Sequence, residues 1–133
     1  MQVIVDTSVW SLALRRRVIQ RSDVVDGLSR LIEEDRALLL GPVRQEILSG
    51  VRHNSQFKRL RNALEAFPDE PITSEDYIQA ALITNHCLSN GVTTGAVDAL
   101  IAAVAIGREL PVVTTDRDFE HMAAHVPLKL YVL

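Results

Sequence analysis

Cysteine, lysine and aromatic residues are all scarce in this sequence of 133 residues. The single cysteine, Cys87, excludes a disulfide within the chain, and a lone thiol is typical of proteins in a reducing cytoplasm. Lysine occurs only at Lys58 and Lys129, so arginine supplies twelve of the fourteen basic residues. Arginine favours bidentate contacts with carboxylates and phosphates. We therefore expect a cytoplasmic protein whose basic surface is built from arginine.

Long apolar runs are also absent, which excludes a membrane-spanning helix. Residues 1–10 carry no basic segment ahead of their apolar stretch, so we expect a buried strand there and no secretory signal. Apolar residues make up 47% of the chain and charged residues 23%, which is the balance of an ordinary globular protein. The length suits one domain with its own core, and we expect a single domain over 1–133.

The charge is unevenly spread along the chain. Residues 1–61 contain eleven basic and seven acidic residues, a net +4, whereas residues 62–133 contain three and ten, a net −7. The total of −3 argues weakly against a nucleic-acid partner, but a basic half on an acidic protein can still follow phosphates. Solvated helix faces explain the same distribution equally well.

Short apolar runs separated by amphipathic segments predict an α/β fold. We expect strands over 3–5, 37–40, 111–114 and 128–132. We expect helices over 7–17, 22–36, 42–49, 55–67, 73–89, 96–108 and 116–124. Strands that alternate with helices need crossover connections, which predicts a mostly parallel sheet of about four strands with helices on both faces.

Four acidic residues map to one edge of this predicted sheet. Asp6 directly follows the strand 3–5, and Asp116 follows the strand 111–114 after one residue. Glu46 lies one turn into the helix after the second strand, and Asp98 lies in the first turn of an alanine-rich helix. Ligands of parallel α/β sheets bind outside the carboxyl ends of the strands. We therefore expect these carboxylates to converge there.

Each acid taken singly has an ordinary explanation, as a turn residue, a helix cap or a surface charge. Together, four converging carboxylates would repel one another unless a cation lay between them. Oxygen ligands favour Mg²⁺ or Mn²⁺, and such an ion can activate water and neutralise charge on a phosphodiester. The joint pattern therefore predicts a divalent-metal site.

The blocks that contain these acids resemble the signature blocks of PIN-domain ribonucleases, and among these the likeness to the VapC toxins of VapBC toxin–antitoxin pairs is greatest. The matching blocks are VIVDTSVW at 3–10, PVRQEIL at 42–48, VDALIAA at 97–103 and VTTDRDF at 113–119. The resemblance covers nearly the whole chain, and the order and spacing of the blocks suit that family.

The resemblance implies a three-layer α/β sandwich with Mg²⁺- or Mn²⁺-dependent endoribonuclease activity. It also implies inhibition by a cognate VapB-type antitoxin and, in many members, a homodimer. By position, Asp6 and Asp98 would ligate the metal, while Glu46 and Asp116 would complete the catalytic site. The fourth acid stays open between Asp116 and Asp118; we prefer Asp116 because it is nearer the strand end, and Asp118 would then cap the short helix.

Contacts with RNA are expected from arginine in the basic half. The candidates are the cluster Arg15, Arg16, Arg17 and Arg21, together with Arg44, which lies two residues before Glu46. An equally simple interpretation places these arginines on exposed helix faces, or against the antitoxin or the acids of the site.

Other functions fit the sequence less well. A phosphoacceptor signalling domain needs a lysine after a late strand, and neither Lys58 nor Lys129 lies there. A phosphatase with Asp-x-Asp after the first strand is excluded because that segment is Asp6-Thr7-Ser8. A PIN-domain ribonuclease of general RNA processing and a catalytically silent PIN-like binding module remain alternatives to the toxin.

Overall fold

The computed structural model describes residues 1–14 and 22–133, in which two helices lie between each strand and the next and a seventh helix follows the fourth strand. In chain order these are β1 Val3–Val5, α1 Thr7–Leu14, α2 Asp23–Glu33, β2 Ala37–Leu40, α3 Gly41–Leu48, α4 Asn54–Leu64, β3 Asp69–Glu70, α5 Ser74–Ser89, α6 Ala96–Gly107, β4 Val112–Val113 and α7 Asp118–Ala123.

The four strands form one parallel sheet in the order β3-β2-β1-β4. In β1, Ile4 is in register with Leu38 of β2 on one side and with Val112 of β4 on the other. The predicted α/β fold with a mostly parallel sheet of about four strands is therefore confirmed.

The middle of the sheet is covered on both faces. Val3, Ile4 and Val5 are all fully buried, although successive side chains of a strand point to opposite faces. Helices must therefore lie against both faces of β1, which explains why this strand is an unbroken β-branched run without polar residues. A strand buried in this way holds the residue that follows it, Asp6, in a fixed position at the sheet edge.

The outer strands differ from the prediction. The segment 128–132 contributes only a parallel bridge between Leu130 and Val112 beyond β4, whereas Asp69–Glu70 forms the edge strand β3 beside β2. Asp69 and Glu70 lie between Pro68 and Pro71. Prolines beside a segment argue against a strand when only the sequence is known, but a strand at the edge of a sheet tolerates them.

Helix boundaries follow local capping chemistry where a cap is present. Ser22 accepts a hydrogen bond from the Val25 amide at the start of α2, and Thr73 and Asp76 form a capping box at the start of α5. The helix predicted over 55–67 starts one residue earlier, since α4 begins at Asn54 after His53, and neither residue at that end forms a side-chain cap.

The alanine-rich helix α6 lies in the interior of the protein. All residues from Ala99 to Ala105 are buried, and small side chains allow α6 to pack closely along α5. Asp98 directly precedes this buried stretch, so it lies in the first turn of α6 at the boundary of the core. No helix in the described ranges is long and apolar enough to cross a membrane.

Candidate metal centre

Asp6 connects the central strand to the first helix. Its amide donates to the Val113 carbonyl of β4 at 3.0 Å, which extends the sheet ladder by one residue. Its own carbonyl accepts from the Val9 and Trp10 amides, which opens α1. The backbone of Asp6 is thus held from both sides, and the residue is only 4% exposed. A carboxylate this deeply set needs partners, since an unpaired buried charge is costly.

Two hydroxyl groups supply those partners. Ser8 Oγ donates to Asp6 Oδ2 at 2.7 Å, and Thr114 Oγ1 donates to the same oxygen at 2.8 Å. Ser8 Oγ in turn accepts from the Thr115 amide, and Thr114 Oγ1 accepts from the Asp116 amide. Within the described ranges, every hydrogen bond donated to this carboxylate ends on Oδ2, which leaves Oδ1 for another ligand.

Glu46 reaches the site from α3. Val43 and Ile47 of this helix are buried in the core, while Glu46 is exposed on the side that meets the start of α1. There Thr7 Oγ1 donates to Glu46 Oε1 at 2.7 Å, across 39 residues of sequence. Because Thr7 directly follows Asp6 in the chain, its hydrogen bond holds Glu46 close to Asp6.

Three further carboxylates form the most compact group in the described part of the chain. Oxygen atoms of Asp98, Asp116 and Asp118 all lie within 4.8 Å of one another, close enough to share one metal ion. The Asp118 amide donates to Asp116 Oδ1 at 2.9 Å, so Asp116 makes the contact at the helix start that we had expected from Asp118. Asp116 and Asp118 therefore both lie beside Asp98, and the identity of the fourth catalytic acid stays a prediction.

Mutual repulsion within the site is visible at Asp98. Burial and the negative charges of Asp6, Asp116, Glu46 and Asp118, in that order, raise the pKa of the Asp98 carboxyl to about 6. All four acids predicted from the sequence, together with Asp118, are thus near enough to interact electrostatically. The site gathers five carboxylates at one edge of the sheet.

Within the described residues, no basic side chain forms an ion pair with an acid of the site. The ion pairs found within residues 1–14 and 22–133 involve Arg36, Arg44 and Arg108, and none of them includes an acid of the site. An oxygen-only donor set that carries excess negative charge fits a hard divalent cation such as Mg²⁺ or Mn²⁺. The chemistry of these residues therefore matches the predicted type of metal site.

Of the arginines predicted to contact RNA, the structure describes only Arg44. Arg44 is already engaged, because its guanidinium donates to Asp69 Oδ1 at 2.8 Å and to the carbonyls of Leu64 and Phe67. It stabilises the connection between α4 and β3, and the phosphate contact of Arg44 stays a prediction. The cluster of Arg15, Arg16, Arg17 and Arg21 lies outside the described residues.

The hydroxyl of Thr114 offers a test of how the site is held together. In Thr114→Val, Asp6 Oδ2 loses a donor and the Asp116 amide loses its acceptor, while the side chain keeps its shape. We expect the free energy of unfolding to fall by about 1–3 kcal/mol, the cost of leaving buried polar groups unsatisfied. Urea denaturation of the metal-free protein measures this change.

Thr115→Val is the matched control for this substitution. Thr115 is exposed and contributes its backbone amide, but no side-chain contact, to the described hydrogen bonds. Its replacement should alter stability by less than about 0.5 kcal/mol. Equal effects at both positions would show that the Thr114 hydroxyl does not support Asp6.

The fold and the site define an α/β domain with a carboxylate cluster at the carboxyl edge of its parallel sheet. The particular family follows from comparison with known domains. The family model of the PIN domain matches residues 3–125, and the chain belongs to the PIN-domain family. Members of this family are generally nucleases that use divalent metals. The predicted family membership is thereby confirmed.

Solved structures share the fold over nearly the full length of the chain. FitAcB from Neisseria gonorrhoeae is 24% identical with a TM-score of 0.77, and the match covers 98% of this chain and 97% of that one. VapBC2 from Rickettsia felis, bound to a DNA fragment from its promoter, is 17% identical with a TM-score of 0.79, covering 98% of both chains. VapBC-5 from Mycobacterium tuberculosis, a member of the VapBC family of toxin–antitoxin systems, is 20% identical with a TM-score of 0.72, covering 99% and 98%.

Proposed function

We propose that this protein is a Mg²⁺-dependent endoribonuclease that acts as the toxin of a toxin–antitoxin pair. The observation that carries the proposal is the convergence of five carboxylates, three of them within 4.8 Å of one another, in a PIN-domain chain. Such a cluster is electrostatically unfavourable in the folded protein by itself, so it is explained best by a cation that the protein binds.

The metal would be held by Asp98 with Asp116 and Asp118, and Asp6 would contribute Oδ1, the oxygen that accepts none of the hydrogen bonds described above. When bound, a divalent cation supplies charge neutralisation at the phosphodiester and a lower pKa for a coordinated water. The proposed ligands Asp6 and Asp98 of the sequence prediction remain part of this set.

The protein side chains orient Asp6, orient Glu46 and accept a proton from the attacking water. Ser8 and Thr114 fix the orientation of Asp6 through its Oδ2 atom. Thr7 fixes Glu46 through Oε1, which leaves Oε2 to accept the proton of the attacking water. Attack in line on phosphorus breaks the bond to the 3′-oxygen, which takes a proton from solvent and leaves a 3′-hydroxyl and a 5′-phosphate. The 2′-hydroxyl is not the nucleophile.

Support for a toxin comes from the comparisons. The structures that share this fold include a member of the VapBC family of toxin–antitoxin systems, and the signature blocks of the chain resemble those of VapC toxins. A VapB-type antitoxin is therefore the proposed protein partner. The homodimer and the cytoplasmic location implied by the same resemblance stay predictions, as does the extent of one domain over 1–133.

The activity is tested with purified protein and a labelled single-stranded RNA. We expect cleavage with Mg²⁺ or Mn²⁺, none after EDTA treatment, and recovery when Mg²⁺ is restored in excess. Mapping the ends should give a 5′-phosphate and a 3′-hydroxyl. A 2′,3′-cyclic phosphate would exclude the proposed direct attack by water, and binding without cleavage in either metal would favour the silent binding module.

A further inference from the structure

A second cleft adjoins the acidic site. It has a volume of about 420 Å³, within the usual range of ligand pockets, and two of its lining residues, Thr114 and Asp116, also belong to the site. One wall consists of residues 113–117 with Glu120 of α7, and the other consists of the C-terminal segment 130–133; Val24 of α2 also lines the cleft. Because the cleft shares residues with the site, a chain-like substrate bound at the acids would extend into it.

The direction of the C-terminal segment explains this placement. The Val112 amide donates to the Lys129 carbonyl at 2.9 Å, and the Tyr131 amide donates to the Val112 carbonyl at 2.8 Å. The segment therefore runs parallel to β4, with Lys129 towards the amino end of that strand and residues 131–133 towards its carboxyl end. Only the later residues flank the acids.

Contacts with Arg36 and α2 hold the C-terminal wall of the cleft in place. The Arg36 guanidinium lies 5.6 Å from the centroid of the Tyr131 ring, and Arg36 also donates to the Met1 carbonyl at 2.6 Å. The Leu133 side chain lies over Gly27 of α2, where the absence of a Cβ leaves room for it. Between them, Val132 is 88% exposed, so an apolar side chain faces solvent on a supported backbone.

The opposite wall carries one cation, Arg117, and two carboxylates, Asp116 and Glu120. Arg117 lies between Asp116 and Asp118, it is exposed, and it takes part in no ion pair found in residues 1–14 and 22–133. Five carboxylates repel a polyanionic strand, so a cation next to them is needed to hold the phosphates on either side of the reacting one. A guanidinium suits this task because it binds phosphate through two parallel hydrogen bonds.

We propose that this cleft binds the RNA strand next to the cleaved bond, with Arg117 contacting a neighbouring phosphate and Val132 packing against a sugar or base. The inference rests on the proposed ribonuclease function and adds to it the path of the substrate. Arg117 is thus a substrate-binding residue rather than a partner that neutralises Asp116 and Asp118.

The test measures binding of a fluorescein-labelled single-stranded RNA by anisotropy in the Asp98→Asn background, where the strand stays intact. Adding Arg117→Ala should weaken binding about tenfold. It should also lower the slope of log affinity against log salt, taken between about 50 and 200 mM, by about one. Arg117→Lys should keep the slope, since it keeps the charge. Lys129→Ala removes the same charge at the far end of the segment and should change affinity less than twofold.

Val132→Asp provides a second, independent probe of the same cleft. The exposed side chain tolerates the change without loss of stability, while the new carboxylate should weaken RNA binding about tenfold through repulsion of the phosphates. In the otherwise unchanged enzyme, Arg117→Ala should raise the KM for RNA and leave kcat within twofold.

Several outcomes would overturn the inference. Affinity and salt slope that are unchanged in Arg117→Ala would show that RNA does not use this cleft. Normal RNA binding by Arg117→Ala with loss of inhibition by the antitoxin would assign the cleft to the protein partner. If the unsubstituted protein neither binds nor cleaves RNA, the proposed function itself fails, and this result is distinct from failure at Arg117 alone.

Discussion

Asp98→Asn should abolish RNA cleavage and at the same time make the metal-free protein more stable. The substitution removes a proposed metal ligand, and we expect the cleavage rate to fall by about three orders of magnitude, the scale on which a lost transition-state charge contact acts. It also removes the carboxylate that burial and four neighbouring acids disfavour. Metal-free Asp98→Asn should therefore be more stable at pH 7 by about 1–2 kcal/mol.

The pH dependence of stability follows from the same group. Since the pKa of Asp98 is raised to about 6 from its ordinary 3.8, the folded metal-free protein binds this proton more tightly than the unfolded chain does. Its stability should therefore rise as the pH falls from 7 towards 5. Thermal unfolding in EDTA should show a melting temperature higher by about 5 °C at pH 5 than at pH 7, and Asp98→Asn should lack this rise.

Glu65→Gln is the control for both effects, because Glu65 is an exposed acid at the end of α4, outside the site. It should retain cleavage and the pH-dependent rise. The assignment of Asp98 as a metal ligand would be falsified if Asp98→Asn cleaved RNA at the normal rate. A pH-independent melting temperature of the unsubstituted protein in EDTA would show that the acids do not repel one another as the geometry requires.

Arg108→Ala should cause a large loss of stability. The guanidinium donates to Glu70 Oε1 at 3.1 Å, to both carboxylate oxygens of Asp76 at 3.1 Å and to the Pro71 carbonyl at 2.6 Å. It thereby joins the end of α6 to β3 and to the start of α5. These side chains are mostly, not fully, buried, so we expect the free energy of unfolding to fall by about 2–3 kcal/mol.

The effect should depend on pH in the opposite sense to that of Asp98. The Arg108 hydrogen bonds hold the pKa of the Asp76 carboxyl below its ordinary value of 3.8. The stabilisation from this pair is therefore present above about pH 4 and is lost as the pH falls further. Urea denaturation should show a large difference between the two proteins at pH 7 that shrinks below about pH 4.

Arg117→Ala is the matched control, since it removes an exposed arginine and should change stability by less than about 0.5 kcal/mol. If Arg108→Ala unfolds at the same urea concentration as Arg117→Ala, the three-way contact does not stabilise the fold. A loss that persists unchanged at low pH would indicate that packing of the arginine side chain, rather than its charge, is responsible.

Residue patterns of short range predicted the centre of this protein correctly. The strands β1 and β2 are unbroken apolar runs, and α5 carries its own capping box, so local chemistry alone identifies them. The position of Asp6 follows directly, because a residue after a buried parallel strand lies at the ligand edge wherever the rest of the chain goes. The order of the acid-containing blocks then sufficed to recognise the family.

Contacts between distant segments were not predictable in the same way. Glu46 and Thr7 are 39 residues apart, and Ser8 and Thr114 are 106 apart, so only the assembled sheet brings these hydroxyls and carboxylates together. The choice between Asp116 and Asp118 had the same origin. The spacing of Asp116 and Asp118 along the chain cannot show that the turn between them places both carboxylates close to Asp98.

The parallel α/β core, the acids that follow its strands and the family of the chain can all be inferred from the order of the residues. These depend on the burial preference of each run of residues, which is a local property. The tertiary structure decided that Asp69–Glu70 forms the edge strand, that Arg44 is engaged in the fold, and that the last residues form a wall beside the acids. These outcomes depend on which surfaces meet, and packing and charge between distant residues settle that only when the whole chain is folded.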